Sequence, residues 1–543
     1  MSEYAFGLDE DTTVFRLRCA SGDLDGCTLW YGDTACPKTP VPFYPAPMRF
    51  ALPGENCDWW EVELRGAFHR LYYYFELRHG GETLYYSGGV FMAEPSVERA
   101  EYFKLPFNHR ADIARVPDWA RDAVVYNIFP DSFASGRREL RGVGASSDAH
   151  GALSLSRLGG TINGIRENLD HIAALGANCI YLNPIFAAGQ YHKYDTIDYF
   201  HVDPCFGTGT DLRALVDESH ARGIRVILDG VFNHCGAQFF AFRDVLEKQK
   251  KSRYADWFYR LKFPVQLPNA GERPGYECFG YEGKMPKLDT ANSEVRDYLC
   301  GVGEHWLREF GIDGWRLDVA DEIDDAFWRE FRRRCKAVRP DALLIGEVWG
   351  DARHWLGGDM LDSAMNYDFR SHCRHFFAEG SIDARTFAGR CSDMLMRYKR
   401  QSAAVQLNIL DSHDVSRFLS LCSGDTRRLA LAVVFMCCFV GMPCVFYGDE
   451  LGVQGVDEYG YRRAMPWQGG DKALLEACRE AIALRRGHEA LRRGELRFLR
   501  AEPGEHLLVF ERTCEKERLK ITLNASDIPC ELPPFGWKLE VLQ

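Results

Sequence analysis

From about Asp118 onward the sequence repeats one rhythm: a short apolar run, a turn, then an amphipathic stretch at helical spacing. The runs are AVVYNIF, NCIYLNP, IRVILDG, IDGWRLDV, ALLIGEV, SAMNYDF, AVQLNIL and PCVFYGDE, and patterns such as DLRALVDESHARG, EVRDYLCGVGEHWLREFG, DDAFWREFRRRCKAV and a single helix in GIRENLDHIAALGA lie between them. Strands that are apolar throughout and alternate with helices form a parallel sheet, because each crossover lays a helix on it and buries both faces. Eight of them in succession predict a closed (β/α)8 barrel over about 116–488. One connection, about 235–292, is too long to be a plain loop and reads as an inserted subdomain after the third strand. The most apolar segment, LALAVVFMCCFVGMPCVFYG, is broken by Gly441 and Pro443 and reads as a buried helix followed by a strand.

The flanks follow a different period. Residues 1–115 alternate apolar and polar positions in short runs such as TVFRLRC and LYYYFELRHGGETLYYSGG, which predicts a β-sandwich with a hairpin turning at Gly80-Gly81. In CDWWEVEL, Trp59 and Trp60 read either as a starch-docking surface or as core. Residues 489–543 return to short strands (LRFLRA, HLLVFERT, LKITLNA, WKLEVL), a small antiparallel β-domain. A net charge of −12 with mixed signs argues against nucleic acid and anionic membranes as partners. No segment approaches the roughly 20 apolar residues of a membrane span. The start, MSEYAFGLDEDTTVF, lacks a basic n-region and an apolar h-region. The nineteen cysteines form no CxxC pair, so zinc is not expected, and many sit in apolar runs as reduced thiols of a cytoplasmic protein would.

A barrel of this kind carries its chemistry where the strands end. There the sequence places Asp229 with Asn233 and His234, then Arg316 and Asp318, Glu347, His413 and Asp414, and finally Asp449 and Glu450. In GIDGWRLDVADE, Arg316 and Asp318 are two apart, so a strand points both to one side. Carboxylates gathered on one rim repel and lose hydration, which stability alone does not favour. The chain has no phosphate-binding GxxxxGK[ST] loop and no dinucleotide fingerprint. Isolated carboxylates with a cation and imidazoles fit glycosidic bond cleavage, which needs one carboxylate at the sugar carbon and one acid at the leaving oxygen.

In chain order, YNIFPDSFA, HKYDTIDYFHVDPCFG (192–207), DGVFNH (229–234), MPKLDTAN (285–292), GWRLDVADE (314–322), GEVW (346–349), SHD (412–414) and GMPCVFYGDELG (441–452) resemble the blocks of the α-amylase superfamily of retaining glycoside hydrolases. The likeness extends over the whole chain and is to the neopullulanase, cyclomaltodextrinase and maltogenic amylase branch, whose N-terminal β-domain is starch-binding-like. It implies Asp318 as nucleophile, aimed and kept ionised by Arg316, with Glu347 as general acid and base and about 5–5.5 Å between the two carboxyls for retention. It implies that Asp414 holds sugar hydroxyls, with His413 and His234 as hydrogen-bond partners. Tyr194 would lie under the reactive glucose, with His192 in the same block, and Asp229 would orient Arg316. Trp349 and Tyr367 would line the aglycone side, and Asp457 or Glu458, with Arg462, would meet a glucose on the non-reducing side. The implied substrates are maltooligosaccharides, cyclodextrins, pullulan or starch, cleaved at α-1,4 bonds with some α-1,6 cleavage and transglycosylation. The resemblance also implies a homodimer and requires no cofactor. PDSFASGRREL lacks the Asp/Asn-rich run that holds calcium in many relatives, which argues against calcium there, and Asp289 and Gly350 replace the branch's usual Asn and His. The rivals are a transglycosylase or debranching specificity, and a silent sugar-binding protein; silent relatives lose one of the acidic trio, and this chain has all three.

Overall fold

The computed structural model describes residues 2–140, 157–269 and 271–543. Its centre is a closed barrel of eight parallel strands. They are β1 (Val125–Ile128), β2 (Cys179–Leu182), β3 (Arg225–Gly230), β4 (Gly314–Leu317), β5 (Leu343–Gly346), β6 (Ser363–Asn366), β7 (Leu407–Ile409) and β8 (Met442–Phe446). The ring closes where Val125 of β1 pairs with Cys444 of β8. Seven of the strands fall within the apolar runs of the sequence, and β8 begins one residue before its run, at Met442.

Alternation along these strands sorts the side chains. Val125, Tyr181, Ile227, Ile345, Met365, Leu407 and Cys444 fill the barrel interior, while Tyr126, Ile180, Leu228, Trp315, Leu317 and Leu344 point outward under the helices. The inward parity continues past the apolar layers, from Ile227 to Asp229, from Gly314 to Arg316 and Asp318, and from Ile345 to Glu347. Gly314 is small for a reason: a Cβ there would stand 2.3 Å from the Leu343 carbonyl oxygen.

The N-terminal strands form two sheets, one of four strands built on Thr12–Ala20 and Cys57–Arg65, the other of six built on Gly26–Asp33 and Leu71–His79. The predicted hairpin is present, with His79 opposite Glu82 and both turn glycines at positive φ, 55° and 87°. Trp59 and Trp60 do not form a docking surface. Consecutive strand residues face opposite ways, and here each face is covered. Trp60 lies in the sandwich core, and Trp59 packs with the barrel, donating from Nε1 to Asp393 at 2.8 Å. At the other end, the four antiparallel strands Glu495–Ala501, Leu507–Cys514, Glu517–Asn524 and Trp537–Val541 pack against the helix Thr426–Cys438, with the Phe435 and Phe510 rings 5.8 Å apart.

Two local features differ from the sequence reading. The single helix expected in GIRENLDHIAALGA is two, Ile162–Glu167 and Leu169–Leu175. Asn168 breaks it because its buried side chain bonds the Arg138 N–H and the Gly136 and Gly164 carbonyls. A hairpin, Phe186–Ala188 with Thr196–Val202, also rises between β2 and the helix Gly209–Ala221 and carries His192 and Tyr194 in its loop. Among the described residues no helix is long and apolar enough to cross a membrane.

Candidate active site

At the C-terminal ends of β3, β4 and β5, one guanidinium gathers three carboxylates. Arg316 Nη1 donates to both oxygens of Asp229 at 3.0 Å and to Asp318 Oδ1 at 2.8 Å. Its Nη2 lies 2.9 Å from Glu347 Oε2, a charge contact without hydrogen-bond alignment. The strand register sets this up, since Asp229 pairs with Arg316 and Arg316 with Ile345, two residues before Glu347. All four side chains are buried. Burial, reinforced by Glu347, pushes the Asp318 carboxyl well above the usual carboxylate range, and Arg316 only partly opposes this. Arg316 donates to Asp318 as the sequence reading expected, but it shares its charge with Asp229 and Glu347. Tyr181 and Tyr194 complete the support of Asp229, donating to Oδ2 at 2.6 and 3.1 Å.

Glu347 is fixed from two sides, by the Val319 N–H at 3.0 Å on Oε2 and the Trp349 indole N–H at 3.0 Å on Oε1. Val319 reaches that position in the left-handed region, φ 44° and ψ 49°. For a β-branched residue this costs about 1–3 kcal/mol, a strain retained next to Asp318 because it aims the amide at Glu347.

The opposite wall comes from the β2 hairpin and the segments after β7 and β8. His413 Nε2 contacts Asp414 Oδ2 at 2.8 Å and the Tyr194 hydroxyl, while the Tyr194 and His413 rings stack at 5.3 Å. Burial alone would raise the Asp414 carboxyl, but His413 and Arg462 hold it below the usual carboxylate range. Arg462 donates to the His413 carbonyl at 2.8 Å and lies 3.3 Å from Asp414 and 2.7 Å from Glu458. His192 accepts the Tyr194 N–H on Nδ1 at 3.0 Å, which assigns its proton to Nε2, facing Gln190; burial lowers its pKa to about 4. Burial lowers His234 to about 3, so both imidazoles are neutral at pH 7. His234 stacks on Phe279, and among the described residues its buried Nε2 has no hydrogen-bond partner.

These groups surround a cavity of about 470 Å3 whose walls include His192, Tyr194, His234, Asp318, Glu347, Trp349, Asp414 and Arg462. That size suits sugar rings. Asp229 and Arg316 stand behind Asp318, His413 stands behind Tyr194, and Tyr367 stacks under Trp349 with ring centroids 4.0 Å apart. Of the two acids left open by the sequence, Glu458 faces the cavity. Asp457 instead caps the turn Glu458–Tyr461, accepting the Gly460 N–H at 2.6 Å. The sequence reading did not single out Tyr181, Asn183 or Tyr191. Tyr181 and Asn183 carried a signal, being polar residues on the inward parity at the end of β2, where a buried hydroxyl or amide needs a partner. Tyr191, whose hydroxyl lies 3.0 Å from Arg462, carried none.

The described residues include no group of three His, Cys, Asp or Glu that could hold a metal ion. In PDSFASGRREL, the Asp131 carboxylate accepts backbone N–H groups of Arg157, Leu158 and Gly159 at 3.0–3.1 Å.

Paired acids at the strand ends of a (β/α)8 barrel, around a cavity of sugar size, define the glycoside-hydrolase class of site. Comparison with known proteins narrows this. The α-amylase catalytic domain matches residues 127–494, and the α-amylase N-terminal ig-like domain matches residues 1–109. A cyclomaltodextrinase of Geobacillus thermopakistaniensis (strain MAS1) is 42% identical over 535 residues, covering 98% of this chain and 90% of the relative. Neopullulanase 2 of Thermoactinomyces vulgaris is 42% identical over 533 residues, covering 96% of this chain and 89% of the relative. A solved cyclomaltodextrinase superposes with a TM-score of 0.91 at 38% identity, covering 97% of this chain and 90% of that one. The chain belongs to the α-amylase family and is a glycoside hydrolase of that family.

Proposed function

We propose that the protein hydrolyses α-1,4-glucosidic bonds of maltooligosaccharides, cyclodextrins, pullulan or starch by double displacement with retention. One observation carries this reading: Asp318 and Glu347 contact the same guanidinium from adjacent strands. The reaction needs Asp318 ionised and a proton on Glu347. Asp318 Oδ bonds to the anomeric carbon as the glycosidic C–O bond breaks, and the leaving oxygen takes the Glu347 proton. Glu347 then takes a proton from water, whose oxygen attacks the same carbon and releases Asp318. A sugar hydroxyl in place of that water gives transglycosylation.

The remaining cavity groups bind. Asp414, ionised beside His413 and Arg462, accepts sugar hydroxyls, and the unpartnered Nε2 of His234 meets another. Tyr194 offers a ring face to the reactive glucose, Trp349 and Tyr367 form the aglycone shelf, and Arg462 with Glu458 bounds the far side. The test follows product anomers by proton NMR during maltotriose and cyclodextrin hydrolysis. Glu347→Gln should lose about 10²–10⁴-fold in kcat while staying folded, and much less on a glycoside with a 4-nitrophenol leaving group, which needs no proton. Inverted product, or an unchanged kcat in the folded variant, would refute the reading.

We also place the protein in the cytoplasm as a homodimer. All nineteen cysteines are free, which suits a reducing compartment. The dimer rests on family resemblance, and sedimentation velocity of the full chain tests it.

A further inference from the structure

The N-terminal rim of the barrel, opposite the cleft, meets both β-domains around a second cavity of about 410 Å3. Its wall carries Arg16 and Arg49 from the N-terminal domain, Arg121 and Arg400 from segments leading into β1 and β7, and Arg493 beside the C-terminal domain, against only Glu61 and Glu495. Those two carboxylates are already engaged. Glu61 lies 2.9 Å from Arg16, 2.5 Å from Arg400 and 3.3 Å from Arg49, and Glu495 lies 2.7 Å from Arg49. Arg493 is held by Asp118 at 2.9 Å and Asp122 at 2.6 Å. Arg121 remains. Among the described residues its side chain makes no ion pair or hydrogen bond, its Nε is buried without a partner, and Asp118 acts on it only from longer range.

The wall behind is also positive. Arg485 donates to the carbonyls of Phe439 and Gly441, on either side of the lining residue Val440. Arg512 donates to the carbonyl of Gly494, another lining residue, at 2.9 Å. Both are fully buried and, among the described residues, touch no carboxylate; burial lowers their pKa to about 10 and about 9, so both stay charged at neutral pH. One neutral group is left open as well. Gln401 uses Nε2 on the Gly7 and Leu8 carbonyls at 2.9 and 3.2 Å, and among the described residues its buried Oε1 has no donor. An unpaired guanidinium calls for an anion, and an unfilled amide oxygen calls for a hydroxyl.

We propose that this cavity binds a compact phosphate monoester carrying a free hydroxyl, with the phosphate on Arg121 and the hydroxyl donating to Gln401 Oε1. A neutral sugar leaves Arg121 unpaired, and a 410 Å3 space admits a monosaccharide phosphate but not a polymer. The ligand would contact all three domains and stabilise their junction in proportion to its occupancy.

The test uses the full chain. Thermal unfolding and 31P NMR are followed with glucose 1-phosphate, inorganic phosphate, glucose, and potassium chloride at matched ionic strength. The expected result is a saturable rise in Tm with glucose 1-phosphate, smaller with inorganic phosphate and absent with glucose or chloride. Arg121→Gln should weaken glucose 1-phosphate at least ten-fold. It breaks no ion pair, so the ligand-free fold should be retained, and Arg121→Lys should keep part of the affinity. Gln401→Leu should weaken the ester but not inorganic phosphate. No saturable shift beyond that of salt, or affinity unchanged in Arg121→Gln, overturns the site. Equal binding of ester and inorganic phosphate, indifferent to Gln401→Leu, overturns the assignment to a monoester.

Discussion

Replacing Arg316 by Met examines the electrostatic centre of the site. The residue is fully buried, and its one positive charge touches three buried carboxylates. Removing one partner of a single buried pair costs about 3–5 kcal/mol, because the remaining charge has lost both water and counter-ion. With three acids left behind, that range is a floor at pH 7. The pH dependence follows from the proton balance. Asp229 and Asp318 already have raised carboxyl pKa values, and loss of the cation raises them further. The folded variant then binds more protons than the unfolded chain above about pH 4, so its stability falls as pH rises through that window and recovers as pH falls. Urea unfolding of parent and variant at pH 7 and pH 5 should show a deficit of at least about 3 kcal/mol that shrinks in acid. Arg316→Lys keeps a charge but not the fork and should fall between them. A variant as stable as the parent at pH 7, or a deficit that does not change with pH, would refute the reasoning.

Other expectations concern single residues. Asp318→Asn should abolish turnover yet raise thermal stability, with a gain near zero at pH 3.5 that grows toward pH 7, because the raised carboxyl pKa makes the native acid increasingly costly above the ordinary carboxylate value. Calorimetry across pH checks this. Glu458→Gln should raise KM for maltotriose by at most about five-fold, equivalent to about 1 kcal/mol for a partly exposed ion pair. Asp457→Asn should leave KM unchanged, since Asn caps as well as Asp. Trp59→Ala should destabilise the docking of the N-terminal domain by about 3–5 kcal/mol with no change in starch retention on an affinity gel.

The barrel was legible because each strand is a short apolar run with a helical pattern after it, and neither signal depends on distant partners. The same parity made Arg316 and Asp318 readable as neighbours. Four things needed coordinates. The hairpin bearing His192 and Tyr194 lies in FAAGQYHKYDTIDYFHV, where polar and apolar residues mix because it pairs only with itself over the rim. The break at Asn168 depends on the Arg138 amide, thirty positions away. The choice between Asp457 and Glu458 turned on which residue caps a single helical turn. The burial of Trp59 was hidden because its covering surface belongs to another domain.

The most direct test of the account traps the covalent intermediate. Incubating Glu347→Gln with a 5-fluoro-α-glucosyl fluoride, then digesting and sequencing by mass spectrometry, should place one added glycosyl mass on Asp318. A folded protein that turns over the reagent without labelling, or carries the sugar on Asp414 or any other side chain, would contradict the assignment of Asp318 as the nucleophile.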